Sequence, residues 1–132
     1  MNIKRRRAII EYLVRNDFRE KGYKEVDFDI EGSENRITIS NDKPFLISFD
    51  LEYASDYKED AYTWCYVDFF IKDTSFKVPD PLKRVFTRVI DHKNQRILWR
   101  HRILVRIIDM DIAVEYILDN VDKLEMQLKE FI

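Results

Sequence analysis

The sequence has little of the residues that make loops flexible, and almost no cysteine. Only 2 glycines and 3 prolines occur among its 132 residues, which excludes long flexible linkers and the glycine-rich loops that cradle nucleotide phosphates. The single cysteine, Cys65, cannot form an internal disulfide, and its apolar surroundings (TWCYVDFF) predict a buried free thiol. No stretch approaches the ~18 uninterrupted apolar residues of a spanning helix, and the basic opening of the chain is followed by too short an apolar run for a signal peptide. We therefore expect a soluble protein of the reducing cytoplasm, without membrane association.

The residues that usually build metal and catalytic sites are also scarce. One cysteine and two histidines, His92 and His101, cannot supply the clustered ligands of a zinc site. Asp27 and Asp29 would face the same way on a strand and could share a divalent ion, but a solvated strand face is the simpler interpretation. No serine lies in a nucleophile-elbow context. The sequence thus predicts a protein that is not an enzyme and that holds no metal or cofactor.

What the sequence does contain is enough apolar material for one packed core. Hydrophobic residues make up 45% of the chain and aromatic residues 14%, a composition that argues against disorder. A chain of this length fits one domain, and at that size roughly two thirds of the unfolded surface can be buried. No internal repeat or low-complexity segment occurs, so we expect residues 1–132 to form a single domain.

Charge is segregated along the chain although the net charge is only −2. Residues 1–24 carry 8 basic and 3 acidic side chains, whereas residues 25–80 carry 5 basic and 14 acidic ones. Residues 81–106 carry 8 basic and 1 acidic side chain, and residues 107–132 carry 2 and 7. The arginine-rich stretch that ends at residue 106 is therefore a local basic block in an acidic chain.

Two segments before this block have helical periodicity. Residues 3–21 carry an apolar stripe at four-residue spacing and are followed by Gly22, where a helix commonly ends in a left-handed residue. Asp80 followed by Pro81 is a strong helix start, because a carboxylate caps the first turn and proline fits within it. It predicts a middle helix with a buried stripe formed by Leu82, Val85, Phe86, Val89 and Ile90.

A third helix is predicted to begin near Asp109 or Asp111, both good caps. Its apolar residues step alternately by four and three, which is a heptad seam over three repeats: Met110, Val114, Ile117, Val121, Leu124, Leu128 and Phe131. A helix lying along a sheet is the simpler interpretation of this seam. The open alternative is a homodimer in which the contacts are made by Val114, Ile117, Val121, Leu124 and Leu128.

Five segments alternate apolar and polar residues, as strands with one buried face do. They lie within residues 25–31, 36–40, 45–53, 61–72 and 96–108. The last, RILWRHRILVRII, is predicted to be one long strand, or two strands joined by a kink, because a helix would mix arginine into its apolar face. Segregated strands with flanking helices predict an α+β fold. We expect an antiparallel sheet of about five strands with an N-terminal helix, a middle helix and a long C-terminal helix.

The order of these elements resembles the type III secretion chaperone-like fold, which includes YbjN-like proteins. The resemblance covers nearly the whole chain and rests on the arrangement PLKRVFTRVIDHKNQRILWRHRILVRI before the closing IAVEYILDNVDKLEMQLKEFI. No single motif residue carries it, and one long strand stands where that fold has paired strands. The resemblance implies a non-enzymatic, often dimeric module that holds another protein, which is an expectation from fold alone.

The last two predicted strands place aromatic and arginine side chains on the face opposite the core. One strand contributes the aromatic residues Tyr62, Trp64, Tyr66 and Phe70, and the other contributes Arg96, Arg100, Arg102 and Arg106. If the two strands are neighbours, these residues form one surface. So many exposed aromatic residues indicate a partner, a second subunit or a covering helix.

Three interpretations of the arginines stay open. In the first, the arginines pair across the sheet with carboxylates such as Asp50, Glu52 and Asp68, and each exposed pair contributes only ~0–1 kcal/mol to stability. They bind an unidentified protein, because arginine, tyrosine and tryptophan are enriched at binding hot spots. Alternatively, they bind single-stranded nucleic acid, with bases stacked on the aromatic rings. We predict a protein-binding, chaperone- or adaptor-like module, with nucleic-acid binding as the alternative that the acidic strand 25–31 disfavours.

Overall fold

The main element of the fold is an antiparallel sheet. The computed structural model describes Ala8, Glu11 and residues 18–32, 36–50, 64–106 and 110–131. Within this part of the chain the sheet has six strands: β1 (Lys24–Glu25), β2 (Arg36–Ser40), β3 (Phe45–Asp50), β4 (Trp64–Ile71), β5 (Thr87–Asp91) and β6 (Arg96–Arg106). Their spatial order is β1-β2-β3-β4-β6-β5, and all neighbours are antiparallel. A long helix, Met110–Lys129, completes an α+β fold, which confirms the predicted class.

The long helix packs on one face of the sheet, which we call the inner face. Every second residue of β4 points into this interface, and Cys65, Val67 and Phe69 are fully buried there, as their parity predicts. The heptad seam completes the same core from Val114 to Leu128, so the interpretation of a helix along the sheet is confirmed. Phe131, the last predicted member of the seam, lies beyond the helix and is 40% exposed. The five residues proposed for a homodimer contact are therefore buried within one chain, at 0–7% exposure: Val114, Ile117, Val121, Leu124 and Leu128.

The prediction of a middle helix is wrong. The chain makes only a short 3₁₀ turn at Asp80–Arg84 and then forms β5, which joins β6 through a turn at residues 92–95. Phe86 is buried on the inner face, whereas Val89, from the same predicted stripe, packs on the opposite face. The β-branched residues of TRVID favour a strand. Gln95 adopts a left-handed φ of 51°, which lets the chain reverse without glycine.

The first predicted helix, residues 3–21, lies largely outside the described residues. Ala8 and Glu11 are helical, and a 3₁₀ turn occupies Arg19–Lys21. Gly22 follows with a φ of 81°, and its amide donates a hydrogen bond to the carbonyl of Arg19. The helical turn therefore ends where the glycine predicts.

The first predicted strand is mostly a strap across the other face of the sheet, the outer face. Residues 26–31, which we call the strap, continue from β1. At its start, the amide of Val26 donates to the carbonyl of Thr38 on β2 (2.9 Å). At its end, the amide of Glu31 donates to the carboxylate of Asp91 on β5 (3.2 Å). The strap thus runs from one side of the sheet to the other.

Beneath the strap lies a second apolar cluster. The alternation of the strap survives, because Phe28 and Ile30 face the sheet while Asp27 and Asp29 are exposed. The rings of Phe28 and Phe70 lie 5.1 Å apart, centroid to centroid. Phe70, predicted to face a partner, is 0% exposed because the strap covers it. The cluster is formed by Phe28, Ile30, Leu46, Phe70, Val89 and Leu98.

Candidate partner-binding site

The strap covers only one end of the outer face, and aromatic and arginine side chains lie at the other end. β4 and β6 are direct neighbours, so the two predicted sets of residues share one surface. Trp64 lies opposite Arg106, and Tyr66 lies opposite Leu104. Both aromatic residues are half-buried, Arg106 is exposed, and Leu104 is 39% exposed. We call these four residues the open patch.

Two arginine side chains lie over the aromatic rings of this region. The guanidinium carbon of Arg102 is 4.3 Å from the ring centroid of Tyr66, and that of Arg106 is 5.7 Å from the ring centroid of Trp64. Cation–π contacts of this kind contribute ~0.5–1 kcal/mol at exposed sites. They also restrict two long side chains, so less side-chain entropy is lost when a partner binds.

Beside the open patch, an ionic cluster crosses four strands and is formed by Arg36, Asp50, Asp68 and Arg102. Asp68 is fully buried and accepts hydrogen bonds from Arg36 Nη1 (2.7 Å) and from Nε and Nη2 of Arg102 (2.6 and 2.9 Å). Asp50 Oδ2 lies 3.4 Å from Nη2 of Arg36 and 3.6 Å from Nη2 of Arg102. Burial alone would raise the pKa of Asp68, but hydrogen bonds and charge from the two guanidinium groups hold it below its usual value. Carboxylate pairing is therefore confirmed for Arg102.

The four predicted arginines differ in their partners. Besides Arg102, only Arg96 has a carboxylate within the described residues, since its Nε donates to Asp91 (2.9 Å). Arg100 and Arg106 have none in that part of the chain. Burial lowers the pKa of Arg100, and its Nε is buried without an acceptor. The outer face therefore carries two arginines that make no ion pair with a described carboxylate.

The strap is fastened by a buried carboxylate on the neighbouring hairpin. Asp91 is 0% exposed and accepts hydrogen bonds from the amide of Glu31, from Asn94 Nδ2 (2.9 Å) and from Arg96 Nε. Burial alone would raise the pKa of Asp91, but these donors lower it to about 2. The carboxylate is thus ionised at neutral pH, and Arg96 serves to hold the strap in place.

The predicted site residues are therefore divided among several locations. Phe70 is buried beneath the strap, Arg96 lies at the strap's end, and Tyr62 lies outside the described residues. Leu104 and Arg36 belong to the region but are not among those predicted. Leu104 shares the parity of the arginines on β6, so the alternation alone could have indicated it. The predicted residues on or beside the open end are Trp64, Tyr66, Arg100, Arg102 and Arg106.

Comparisons with known proteins add no family to this description: no protein family, curated protein or solved structure matches the chain. The resemblance to the type III secretion chaperone-like fold therefore stays a prediction. Among the described residues, no group of three or more His, Cys, Asp or Glu side chains is placed to hold a metal ion. In the same part of the chain, no helix has both the length and the apolar character needed to cross a membrane.

Proposed function

We propose that the protein is a non-enzymatic, chaperone- or adaptor-like module that binds another protein through the open end of its outer sheet face. The observation that carries this proposal is the exposure of Leu104, at 39%, among aromatic and arginine side chains. Leu104 lies opposite Tyr66 and diagonal to Trp64. Tryptophan, tyrosine and arginine are the residue types most enriched at hot spots of protein interfaces. An aliphatic side chain at their centre gives the apolar middle and polar rim of such a site.

The rigidity of the surroundings supports this function. The open patch is built on two long paired strands, and the ionic cluster fixes Arg102 by two hydrogen bonds to Asp68. Groups held in place before binding lose little conformational entropy when the complex forms. A partner would therefore meet a surface that needs little rearrangement.

The charges of the outer face favour a protein over nucleic acid. Arg96 and Arg102 are neutralised by carboxylates, which leaves Arg100 and Arg106 for phosphates. The strap also exposes Asp27 on its outward side, and this carboxylate would repel a polyanion that extends across the face. The affinity of proteins for single strands depends on several phosphate contacts, so this distribution of charge suits a protein partner better.

Site-specific photo-crosslinking in cells of the native host tests the proposal. A benzophenone amino acid replaces Leu104 in one variant and Met126, which is 69% exposed on the long helix, in a matched control. We expect discrete protein adducts from position 104 and not from position 126. A third variant adds Trp64→Ala to the probe at position 104, and its adducts should weaken.

Each outcome is informative. Adducts that disappear on nuclease treatment would favour the nucleic-acid alternative, and adducts of the chain with itself would indicate a homodimer. The proposal would be wrong if position 104 yields no adduct beyond those of position 126. It would also be wrong if the Trp64→Ala substitution leaves the adducts unchanged while circular dichroism shows an intact fold.

A further inference from the structure

The strand β6 extends beyond its neighbour at the edge of the sheet. β5 pairs with residues 96–100 of β6, and the last pair joins Thr87 to Arg100. Before Thr87 the chain lies on the inner face, where Phe86 is fully buried. Residues 102–106 of β6 therefore pair with β4 on one side, and within the described ranges no strand pairs with them on the other. We call residues 102–106 the bare edge.

A bare edge presents backbone amide and carbonyl groups to which another strand can hydrogen-bond. Five residues at ~3.4 Å each span ~17 Å, which is the length of a common natural strand. Two of the bare-edge side chains on the outer face, Leu104 and Arg106, are exposed. An added strand would continue the line of β5 and lie beside the open patch.

Arg100 and Arg106, which make no ion pair with a described carboxylate, indicate which residues such a strand would carry. Its residue opposite Arg106 would lie ~5 Å away between Cβ atoms, and its residue opposite Arg102 would lie diagonal to Arg100 at ~7–8 Å. Both distances suit a carboxylate that pairs with a guanidinium. The buried Nε of Arg100 lacks an acceptor, and an unsatisfied buried donor is unfavourable until a partner supplies one. The residue between them would lie opposite Leu104 and is expected to be apolar.

We propose that the bare edge binds an acidic segment of a partner protein, which adds a strand beside β6 in line with β5. On the outer face this strand presents the pattern acidic-x-apolar-x-acidic. The inference rests on the proposed protein-binding function and adds the chemistry of the partner and the mode of binding. A second copy of this chain fits poorly, because its own bare edge would place arginine opposite arginine. A nucleic acid lacks the peptide groups that a strand edge pairs with.

A phage-displayed library of random 12-residue peptides, selected on the full chain, tests the inference. We expect the recovered peptides to be enriched in acidic residues four positions apart with an apolar residue midway. Selection on the variant Arg100→Glu/Arg106→Glu should instead enrich basic residues at these positions. Selection on Arg88→Glu, which reverses an exposed charge of β5 away from the bare edge, should leave the acidic pattern unchanged.

Affinity and hydrogen exchange then locate the peptide. The substitutions Arg100→Ala/Arg106→Ala should weaken binding of a selected acidic peptide roughly two- to thirtyfold, as the loss of two ion pairs near the protein surface predicts. Arg106→Ala alone, at an exposed position, serves if the double variant does not fold. Bound peptide should slow amide exchange in residues 102–106 and leave β1, at the other side of the sheet, unaffected.

The inference would be overturned if no peptide is selected, if the peptides show no acidic preference, or if charge reversal leaves that preference unchanged. Protection of residues other than the bare edge would overturn the strand-addition mode. These failures are distinct from failure of the proposed function. Specific adducts from position 104 would still indicate a protein partner, whereas their absence would remove the basis of both.

Discussion

Replacing Asp68 by asparagine should destabilise the protein far more than a surface substitution. Asp68 is fully buried and accepts three hydrogen bonds from Arg36 and Arg102. Asparagine keeps the size of the side chain but removes its charge, so two guanidinium groups lose their main counter-ion. The Arg36 side chain is only 10% exposed and cannot turn to water. Removing one partner of a buried ion pair costs ~3–5 kcal/mol. Because Asp50 still lies near both arginines, we expect about 3 kcal/mol.

Urea denaturation at pH 7, followed by tryptophan fluorescence, measures this loss. With a slope of ~1.5 kcal/mol per molar urea, the unfolding midpoint should fall by ~2 M. The matched control is Asp80→Asn, because Asp80 also pairs with a cation, Lys83, but is exposed. It should leave the midpoint unchanged. In a double-mutant cycle, Arg102→Met should cost less in the Asp68→Asn background than in the wild type. A loss below ~1 kcal/mol for Asp68→Asn would refute the view that the cluster holds the outer face together.

Three further predictions concern the strap, the second apolar cluster and the arginines. The pKa of Asp91 is about 2, whereas an aspartate of an unfolded chain titrates near ~3.9. The stability that Asp91 contributes should therefore be lost as the pH falls from about 4 to about 2. In urea titrations across this pH range, the free energy of unfolding of Asp91→Asn should lack the part of the decrease that Asp91 causes in the wild type. In the same assay, Phe70→Ala should lower the free energy of unfolding by about 3–5 kcal/mol, because Phe70 is fully buried. The control Phe131→Ala, at a 40% exposed position, should lower it much less. Equal losses would contradict the burial of Phe70 beneath the strap. Anisotropy of labelled single-stranded RNA should show a log–log salt slope no steeper than about −1.4, since of the four arginines predicted for the outer face only Arg100 and Arg106 lack a carboxylate partner among the described residues. A slope near −3 would show that all four of these arginines contact phosphate.

The long, regular patterns of the sequence correctly predict the core. Alternation along β4 places Cys65, Val67 and Phe69 inside, and the heptad seam places Ile117 and Leu124 against them. Each pattern extends over several repeats, so the two-residue period of β4 and the heptad spacing of the helix can each be told clearly from the alternative period. Packing between a sheet face and a helix stripe then follows, because each must bury its apolar side.

Shorter patterns are ambiguous, and the middle helix shows why. A proline preceded by aspartate predicts a helical start, and the chain does turn at Asp80–Arg84. The apolar residues that follow keep helical spacing as far as Ile90. Val89 and Ile90 fit a strand equally well, and the turn that makes β5 a hairpin partner of β6 contains no glycine. Among the described non-glycine residues, only Gln95 has a positive φ. Glutamine is not a residue type that predicts such a conformation.

The candidate site depends on register and on tertiary contacts, so the sequence reveals only part of it. Parity predicts which way the arginines point and offers Asp50 and Asp68 as their partners. It cannot show that β2 brings Arg36 opposite Asp50 and into the same cluster. Nor can it show that the strap covers Phe70, since this requires a segment some 40 residues earlier in the chain to cross four strands.

The strap has a consequence for the order of folding. It joins residues 60 or more positions apart, such as Glu31 with Asp91 and Asp29 with Lys93, whereas the β5–β6 hairpin closes a turn of four residues. Closing a long loop costs more chain entropy than closing a short one, and the strap has nowhere to dock until the hairpin exists. We therefore expect its contacts to form after the rate-limiting step of folding, so that they slow unfolding more than they speed folding. On this reasoning, the crossing segment prolongs the lifetime of the native state and has little effect on the rate at which that state is reached.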